Sequence, residues 1–484
     1  VSGGIRASGF GHRVRHSDGT TGTIHPDRQD RPRLGVVDIR VPLVGLGPLM
    51  RLGTSVVFIA AAVLPEGSAV AQFAPSGGAG LHAEESSEPP EPSVTEPPAD
   101  AEEEEEEEEE EVKHDIAGFD KANLNGFFVQ SRDAEFRLNL GAYTQFRYNL
   151  SWLETPPAGE DDFNAGFLFA RTRIFFEGYL TKAIEYQFRL NIDDTGNFAL
   201  LVAYAGYNFK DYRHQSRHNH GAWNLRLGRQ FIPITREDWM FPQDLLTTEY
   251  SAVDQVSAVG AADGLQAFVG KDRGRAWLAV SNGAGGSKDD FPNNVTSQVL
   301  LSARGEVQLL GDDWSVFNDL VGRRGRALGI LLGVGSGYQI SGPNAPPGDP
   351  KHSGQVTVDL SVGGNGFQAL AYGTWSWAAV GTLQSTWGFV AQGGYFIFDP
   401  WQVYARYELV DPGNIPDLIT FHALTLGTNL FPLTWTNRIK LSVEGGLLFS
   451  AVNQTLVSPN GIIGWLPADE GNQYYLRFQL QFGF

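Results

Sequence analysis

The sequence predicts an all-β protein: a transmembrane antiparallel β-barrel of about 16 strands, preceded by a disordered acidic N-terminal lead. Three observations support this fold class. The last residues alternate between apolar and polar side chains, similar runs recur along the chain, and the connections between runs are alternately short and long. A barrel in a membrane needs this pattern, because lipid-facing and lumen-facing residues alternate along each strand.

The clearest predicted strand is the last one, YYLRFQLQFGF. From Tyr474 to Phe484, apolar residues occupy every second position, and Arg477, Gln479 and Gln481 lie between them. A period of two places the two sets on opposite faces of a strand. We therefore expect the apolar face to contact lipid and the polar face to line the interior.

Similar runs recur from about residue 123 to the end of the chain, and most are close to the ~9–11 residues that a tilted strand needs to cross a bilayer. Short connections, such as Asp399-Pro400 and Gly363-Gly364, alternate with long ones, as the turns and loops of a barrel do. The long connections are predicted at 232–263, 282–296, 338–353 and 451–472. Strands are predicted near 136–150, 167–178, 185–193, 198–209, 222–231, 264–270, 274–282, 297–309, 326–337, 354–362, 367–376, 385–398, 401–410, 421–432, 437–450 and 473–484.

The composition agrees with a barrel and excludes several other classes. The 484 residues include no cysteine, which excludes a disulfide framework, a thiolate metal site and a cysteine nucleophile. Glycine is frequent, with 58 residues, and aromatic residues reach 12%, as expected for tight turns and aromatic girdles. The sequence has no apolar stretch long enough for a membrane-spanning helix.

The N-terminal part is predicted to lie outside the barrel. Residues 1–49 are rich in Arg, Gly and Pro and show no period, and we expect translation to start at Met50 instead. Residues 50–71 have the features of a signal peptide: a basic start, an apolar stretch and the small residues Ala69-Val70-Ala71.

Residues 72–122 form a Pro- and Glu-rich linker, and residues 123–484 form the barrel. The linker contains ten consecutive glutamates, Glu102 to Glu111. Charge repulsion and the scarcity of apolar residues predict a disordered segment. A solvated linker is the simpler interpretation, and binding of cations or of a basic partner is the alternative.

Five segments of the barrel region carry a resemblance to a known family. They are NGFFVQSRDAEFRLNLGAYTQFRY (Asn125 to Tyr148), FARTRIFFEGYL (Phe169 to Leu180), LRLGRQFIPI (Leu225 to Ile234), YARYELVDP (Tyr404 to Pro412) and the closing strand. These segments resemble the phosphate-selective porin O and P family of outer-membrane porins. The resemblance extends from Asn125 to Phe484 and implies a sixteen-stranded, trimeric, anion-conducting channel in the bacterial outer membrane, with a third external loop folded into the pore. It also implies that the terminal aromatic residue, Phe484, is recognised by the outer-membrane insertion machinery.

Basic residues on the predicted inward faces are candidates to line the pore and bind anions. In one interpretation, they lower the energy of an anion in a narrow aqueous pore. In the other, they pair with inward acids across strands and brace the wall. Arg171, Arg173, Arg189 and Arg226 lie on early strands beside the long 232–263 connection, which makes them the first candidates. The others are Arg137, Arg147, Arg406, Arg438 and Lys440.

The connection 232–263 is the candidate constriction loop. A long connection without evident secondary structure is usually functional or disordered, and the aromatic residues of this one argue against disorder. An ordinary external loop that packs on a neighbour is the alternative. The residues expected at the constriction are Arg236, Glu237, Asp238, Trp239, Phe241 and Asp244.

The sequence shows no motif for covalent chemistry, since GxSxG, HExxH, Walker and dinucleotide-binding patterns are missing. We therefore predict no enzymatic activity, no cofactor, no metal site and no nucleic-acid partner; His214, His218 and His220 are interpreted as a polar connection. The expected function is passive diffusion of small hydrophilic solutes, with a preference for anions such as phosphate, through a homotrimer in outer-membrane lipid. A non-selective porin and a barrel-anchored surface or structural protein are the alternatives.

Overall fold

The computed structural model describes residues 117–119, 126–156, 159, 161–192, 196–209, 223–283, 297–341, 350–380, 382–413, 419–449, 465–466 and 471–484. Several predicted regions lie outside these residues: residues 1–49, expected upstream of the translation start, the predicted signal peptide 50–71, most of the predicted linker 72–122, and the three histidines between 214 and 220.

Sixteen long strands form a closed barrel, which confirms the predicted fold class. Each strand pairs antiparallel with the next along the chain, and the last strand, β18, pairs with the first long one, β3. Two short strands, β1 (Ala117–Phe119) and β2 (Phe127–Gln130), precede them. The barrel strands are β3 (Arg137–Leu153), β4 (Phe163–Thr181), β5 (Ile184–Ile192), β6 (Phe198–Asn208), β7 (Trp223–Phe231), β8 (Ala261–Lys271), β9 (Gly274–Ser281), β10 (Ser297–Leu310), β11 (Gly329–Ser341), β12 (His352–Gly364), β13 (Phe367–Val380), β14 (Thr382–Phe398), β15 (Trp401–Asp411), β16 (Phe421–Leu430), β17 (Ile439–Leu448) and β18 (Gln473–Gly483).

The two ends of the barrel sequence meet at the start of β3. Strand β2 pairs with the first residues of β3, while β18 pairs with the remainder, from Tyr143 onward. Phe484 completes the join, because its N–H donates to the Ala142 carbonyl at 2.9 Å and its carbonyl accepts from Ala142 N–H at 3.1 Å. We call the end of the barrel that holds Phe484 the terminal end and the opposite end the loop end. Strand β1, which pairs with β2, lies within the stretch predicted as linker.

The side-chain pattern is inverted relative to that of a water-soluble protein. Along β18, Arg477, Gln479 and Gln481 are buried, whereas Phe478 and Leu480 are exposed. The same alternation recurs around the barrel, so the outer surface is apolar and the interior is polar, as the membrane requires. Large aromatic residues are exposed near both ends of this surface: Trp152, Phe163, Trp387 and Tyr474 towards the loop end, and Phe209, Trp223, Phe398, Trp401 and Phe482 towards the terminal end. These two belts match the aromatic girdles of membrane barrels.

A β-bulge in β4 allows the side chain of Arg171 to point into the barrel. Gln145 of β3 is opposite Arg171, but the next residue, Phe146, is opposite Phe169, so Ala170 is the extra residue. The bulge allows Phe169 to point outward, with 56% of its surface exposed, while Ala170 and Arg171 both face the interior. Strict alternation would have placed Phe169 and Arg171 on the same face.

Two connections enter the barrel rather than leave it. The connection from β7 to β8, residues 232–260, contains helices α1 (Arg236–Trp239) and α2 (Ala252–Ser257) and a 3-10 turn, Pro242–Asp244. The connection from β10 to β11, residues 311–328, comes from the terminal end and contains a 3-10 turn, Trp314–Phe317. The second was not predicted, because a strand was expected from residue 326.

One predicted turn is displaced along the chain. Strand β12 continues through Gly363 and Gly364, and the turn to β13 consists of Asn365 and Gly366. Both turn residues have positive φ, 44° and 91°, which is the conformation that a tight two-residue hairpin requires. None of the helices in the described part of the chain is both long and apolar enough to cross a membrane.

Candidate functional site: the barrel interior

The connection 232–260, which we call the inner segment, packs against one side of the interior wall. Its apolar residues Leu245, Leu246 and Val253 are fully buried and belong to one apolar cluster with inward residues of the wall. These wall residues come from β13 to β18 and are Leu370, Tyr372, Val390, Tyr404, Val410, Phe421, Ala423, Leu448 and Tyr475. Apolar contact therefore holds the inner segment to the β13–β18 side, because contact between these apolar side chains removes their surface from water.

Three of the predicted constriction residues make polar contacts with the wall or with the connection 311–328. Arg236 donates to Glu306 at 2.9 Å and to the Phe317 carbonyl at 2.5 Å. Glu237 accepts from the Tyr372 hydroxyl at 2.6 Å. Asp244 uses its backbone carbonyl, which accepts from Leu320 N–H at 2.9 Å.

The other three constriction candidates contact the wall or stay within the inner segment. The Trp239 ring is 4.5 Å from the ring of Trp277. Phe241 lies under the guanidinium of Arg189, with 3.5 Å between the charged carbon and the ring centroid. Asp238 accepts from Gly260 N–H at 3.1 Å and so closes the inner segment on itself.

A tripeptide, Thr247–Glu249, anchors the inner segment to both sides of the seam between β18 and β3. All three residues are at most 1% exposed. Glu249 binds Arg147 at 3.2 Å and also binds Arg171, whereas Thr248 donates from N–H and hydroxyl to Glu444. Burial alone would raise the pKa of Glu249, but Arg171 and Arg147 together lower it to about 2. This carboxylate therefore stays charged in neutral solution, and the two arginines are its counterions.

Most of the predicted pore-lining arginines are paired with carboxylates. Besides Arg147 and Arg171, which share Glu249, the ion pairs are Arg189 with Glu177 at 3.2 Å, Arg226 with Glu185 at 2.6 Å, and Arg406 with Glu408 at 3.3 Å. The bracing interpretation thus describes the geometry of these residues well. Buried pairs of this kind fix positions more than they add stability.

Four further predicted residues have other contacts. Arg137 donates to Asn139 at 2.9 Å, Arg438 donates to the Phe484 carbonyl at 3.0 Å, and Lys440 donates to the Leu245 carbonyl at 2.9 Å. Arg438 and Lys440 therefore tie the chain terminus and the inner segment to β17. Arg173 donates through Nε to Asn191 at 3.3 Å, and no carboxylate in the described part of the chain lies within ion-pair distance of it.

A buried charge cluster on β9, β10 and β12 was not among the predicted site residues. Glu306 lies between Arg275, Arg304 and Arg236, and Arg304 also binds Asp359 at 2.7 Å. The signal in the sequence is Arg304 followed two residues later by Glu306, since an acid and a base at this spacing share one face of a strand. The partners Arg275 and Asp359 are close only in the folded barrel.

The terminal-end connection 311–328 meets the inner segment within the barrel. Trp314, Val316, Phe317 and Leu320 are all buried, and Leu320 belongs to the same apolar cluster as Leu245 and Leu246. The backbone hydrogen bond from Leu320 to Asp244 joins the two connections directly. Together they fill much of the β9–β18 side of the interior.

Three acids of the inner segment lie close together: Glu237, Asp238 and Asp254. Burial raises the pKa of Asp238 to about 7, Glu237 adds to this, and the hydrogen bond from Gly260 opposes it. Burial and the neighbouring acids Asp238 and Glu237 also raise the pKa of Asp254 well above its usual range. Asp238 and Asp254 therefore keep their protons to higher pH than free carboxyl groups do, and their deprotonation places like charges next to one another.

The inward polar residues of β4 to β7 include several that water reaches. The side chain of Arg226 is 25% exposed and that of Arg171 is 10% exposed, and Gln187, Asn191 and Tyr204 are partly exposed on the same wall. In the two ion pairs formed by these arginines, the acids are less exposed, at 6% for Glu185 and 2% for Glu249. Across the residues that the structure describes, no group of three or more metal-binding side chains could hold a metal ion.

No family model matches the chain, and no curated protein matches it. Several solved structures have a similar arrangement of strands. They include an anion-selective porin from Comamonas acidovorans, with 12% identity over 72% of this chain and 100% of that one and a TM-score of 0.45. OmpF of Salmonella typhi, solved with daunomycin, has 10% identity over 73% and 100%, and a TM-score of 0.48. OprB of Pseudomonas putida has 10% identity over 72% and 94%, and a TM-score of 0.45. At these identities and scores, the similarity does not assign a function to this chain.

The localisation follows from the barrel itself. A closed antiparallel barrel with an apolar outer surface, a polar interior and two aromatic belts is built to span the bacterial outer membrane. The chain is therefore an outer-membrane β-barrel protein.

Proposed function

We propose that the protein is a porin through which small hydrophilic solutes diffuse passively across the outer membrane. The observation that carries this proposal is the water-reached strip of polar side chains on the β4–β7 wall. The inner segment and residues 311–328 pack mainly on the β9–β18 side of the interior. The inner segment also reaches the β4–β7 wall through Glu249 and Phe241, and the remainder of this strip would be the solute route. The inner segment would set the narrowest point, with its own charged groups directed at the wall.

We further propose a preference for anions, with phosphate as one candidate solute. In the pairs Arg171–Glu249 and Arg226–Glu185, the arginine is the member that water reaches. The pair Arg189–Glu177 has the opposite order, with side-chain exposures of 1% and 12%. An ion on the β4–β7 side therefore meets more guanidinium than carboxylate, which favours anions.

Assembly as a homotrimer and recognition of Phe484 by the insertion machinery belong to the same proposal. Both rest on the resemblance of the barrel sequence to the phosphate-selective porin family. The position of Phe484 is compatible with recognition, since its side chain is on the outer surface and 38% exposed.

Conductance in planar lipid bilayers tests the proposal. The purified barrel should give stepwise currents, and a KCl gradient should give a reversal potential on the anion-selective side. Replacing Arg171, Arg173 and Arg189 together by glutamine should shift this potential towards cations. A folded barrel that gives no current would refute the porin function, and an unchanged potential in a conducting triple variant would refute the role of these arginines.

A barrel-anchored structural protein is the second candidate, and the filled β9–β18 side of the interior favours it. Two connections that meet through the Leu320–Asp244 hydrogen bond would make a stable plug. The bilayer experiment separates the candidates. Absence of current, together with recovery of current when residues between Glu237 and Ala258 are removed, would identify a plugged anchor.

A further inference from the structure

Two hydrogen-bond donors of neighbouring strands face the interior with no acceptor. Arg173 of β4 and Tyr143 of β3 are directly opposite each other in the register. Arg173 is 9% exposed and Tyr143 3%. The Nη1 group of Arg173 and the hydroxyl of Tyr143 are both buried and make no hydrogen bond in the described structure. A buried donor without an acceptor is unfavourable, and a ligand that supplies the acceptor removes this cost.

The neighbouring arginines differ from Arg173 because each of them has a carboxylate partner. Arg171, two residues away on the same face, is held by Glu249 and Gln145. Arg189, on the next strand, is held by Glu177 and stacks on Phe241. Among the described residues, the hydrogen-bond partner of Arg173 is the amide oxygen of Asn191, and its guanidinium lies 5.9 Å from the ring centroid of Tyr143. None of the described carboxylates pairs with Arg173, so its positive charge is available to a ligand.

The position is accessible from the proposed solute route. Asn191, opposite Arg173 on β5, is partly exposed, and Arg171 belongs to the water-reached strip. The ring of Tyr250 from the inner segment lies 5.5 Å from the guanidinium of Arg171 and lines the same region. The site thus combines one charge, two free donors and aromatic neighbours.

We propose that Arg173 and Tyr143 form a binding site for a small organic monocarboxylate in transit, a proposal that rests on the porin function and specifies its solute. A carboxylate has one negative charge and two oxygens, which match the single guanidinium and the two free donors. Its organic part would contact the tyrosine rings. A phosphate dianion matches less well, because one charge and two donors leave part of its charge and several oxygens unpaired in a site largely shielded from water.

Binding of propionate and of inorganic phosphate to the folded barrel in detergent tests this site without requiring conduction. Titration calorimetry should show propionate binding to the parent protein more tightly than phosphate. The R173Q and Y143F variants should each bind propionate about tenfold or more weakly, the range for a lost hydrogen bond to a charged group. The matched control is R326Q, which removes the same charge from the connection 311–328, where Arg326 pairs with Asp319 at 2.9 Å, and leaves both donors in place; it should bind propionate nearly as the parent does.

Each result has a definite meaning. Tighter binding of phosphate than of propionate would overturn the proposed ligand class. Equal losses in R173Q and R326Q would show a diffuse charge effect and overturn the proposed site. Y143F removes only a hydroxyl, so a loss in this variant is not explained by misfolding. Absence of current in bilayers with intact propionate binding would refute the porin function but not the site. Conduction without such binding would refute the site alone.

Discussion

Replacing Glu249 by glutamine should make the channel more anion-selective. Glu249 neutralises Arg147 and Arg171, and the side chain of Arg171 is the one of the three that water reaches most. Without this carboxylate, the lumen gains one net positive charge beside the proposed solute route. Glutamine has nearly the same shape, so the inner segment keeps its path.

The size of the effect follows from Coulomb's law. An ion passing about 6 Å from an uncompensated charge in a water-like medium changes its energy by about 0.7 kcal/mol. This corresponds to about a threefold change for one ion, because about 1.4 kcal/mol is a factor of ten. Anions gain and cations lose, so the permeability ratio should change by about three- to tenfold. Loss of the buried pair should also weaken anchoring, towards the lower end of the ~3–5 kcal/mol typical of such changes, because Arg147 keeps Gln479 and the Thr248 carbonyl.

Reversal potentials in a KCl gradient measure the permeability ratio. The control is E444Q, which removes an equally buried carboxylate from Arg477, a residue that water does not reach. E444Q should loosen the inner segment similarly but shift the potential clearly less. Equal shifts in the two variants would contradict the reasoning, since they would mean that exposure of the arginine is irrelevant. An unchanged potential in a conducting E249Q channel would contradict it as well.

Three further predictions concern the inner segment and the chain terminus. Because the folded state raises the pKa of Asp238 to about 7, the negative charge of Asp238 lowers the stability of the fold as pH rises from about 4 to about 7. D238N should therefore slow hydrogen exchange of residues 232–260 relative to the parent near pH 8 but not near pH 4. Slower exchange in D238N near pH 4 but not near pH 8 would contradict this prediction. Shortening the chain between Glu237 and Ala258 should raise single-channel conductance and reduce charge selectivity together, whereas unchanged conductance would place the constriction elsewhere. Deleting Phe484 removes two backbone hydrogen bonds with Ala142, so refolding in detergent should be nearly normal while the amount in the outer membrane falls, and equal amounts would exclude a role in recognition.

The strands were predictable from sequence because the signal for them is local. A membrane barrel needs an apolar residue at every second position, so each strand, such as Gln473–Gly483, carries its own evidence. Inward direction was equally predictable where alternation is unbroken, as for Arg477. At the β4 bulge, strict alternation fails, because an extra residue changes the phase without changing the composition.

The contents of the barrel were less predictable. The long connection 232–260 stood out by length and composition, but the wall that it contacts depends on apolar residues of β13 to β18, far away in sequence. The inward path of residues 311–328 was missed because a strand was expected from residue 326 and the boundaries between 310 and 337 gave no clear period. Partners such as Arg275 for Glu306, or Thr248 for Glu444, are brought together only by closure of the barrel.

The interior arginines fall into two groups, those fully buried in ion pairs and those that water reaches, and the difference has a physical reason. A fully buried guanidinium such as that of Arg304 or Arg406 must be paired, since an uncompensated buried charge costs several kcal/mol or more. Such pairs define where the two inward connections lie. A solute ion cannot replace either member of a pair unless the packed side chains around it separate. We therefore expect the proposed anion preference to depend on Arg171 and Arg226, which water reaches, and on Arg173, which pairs with no carboxylate among the described residues. Counting inward arginines in the sequence overestimates the field that a solute meets, because the count does not show which charges the fold has already neutralised.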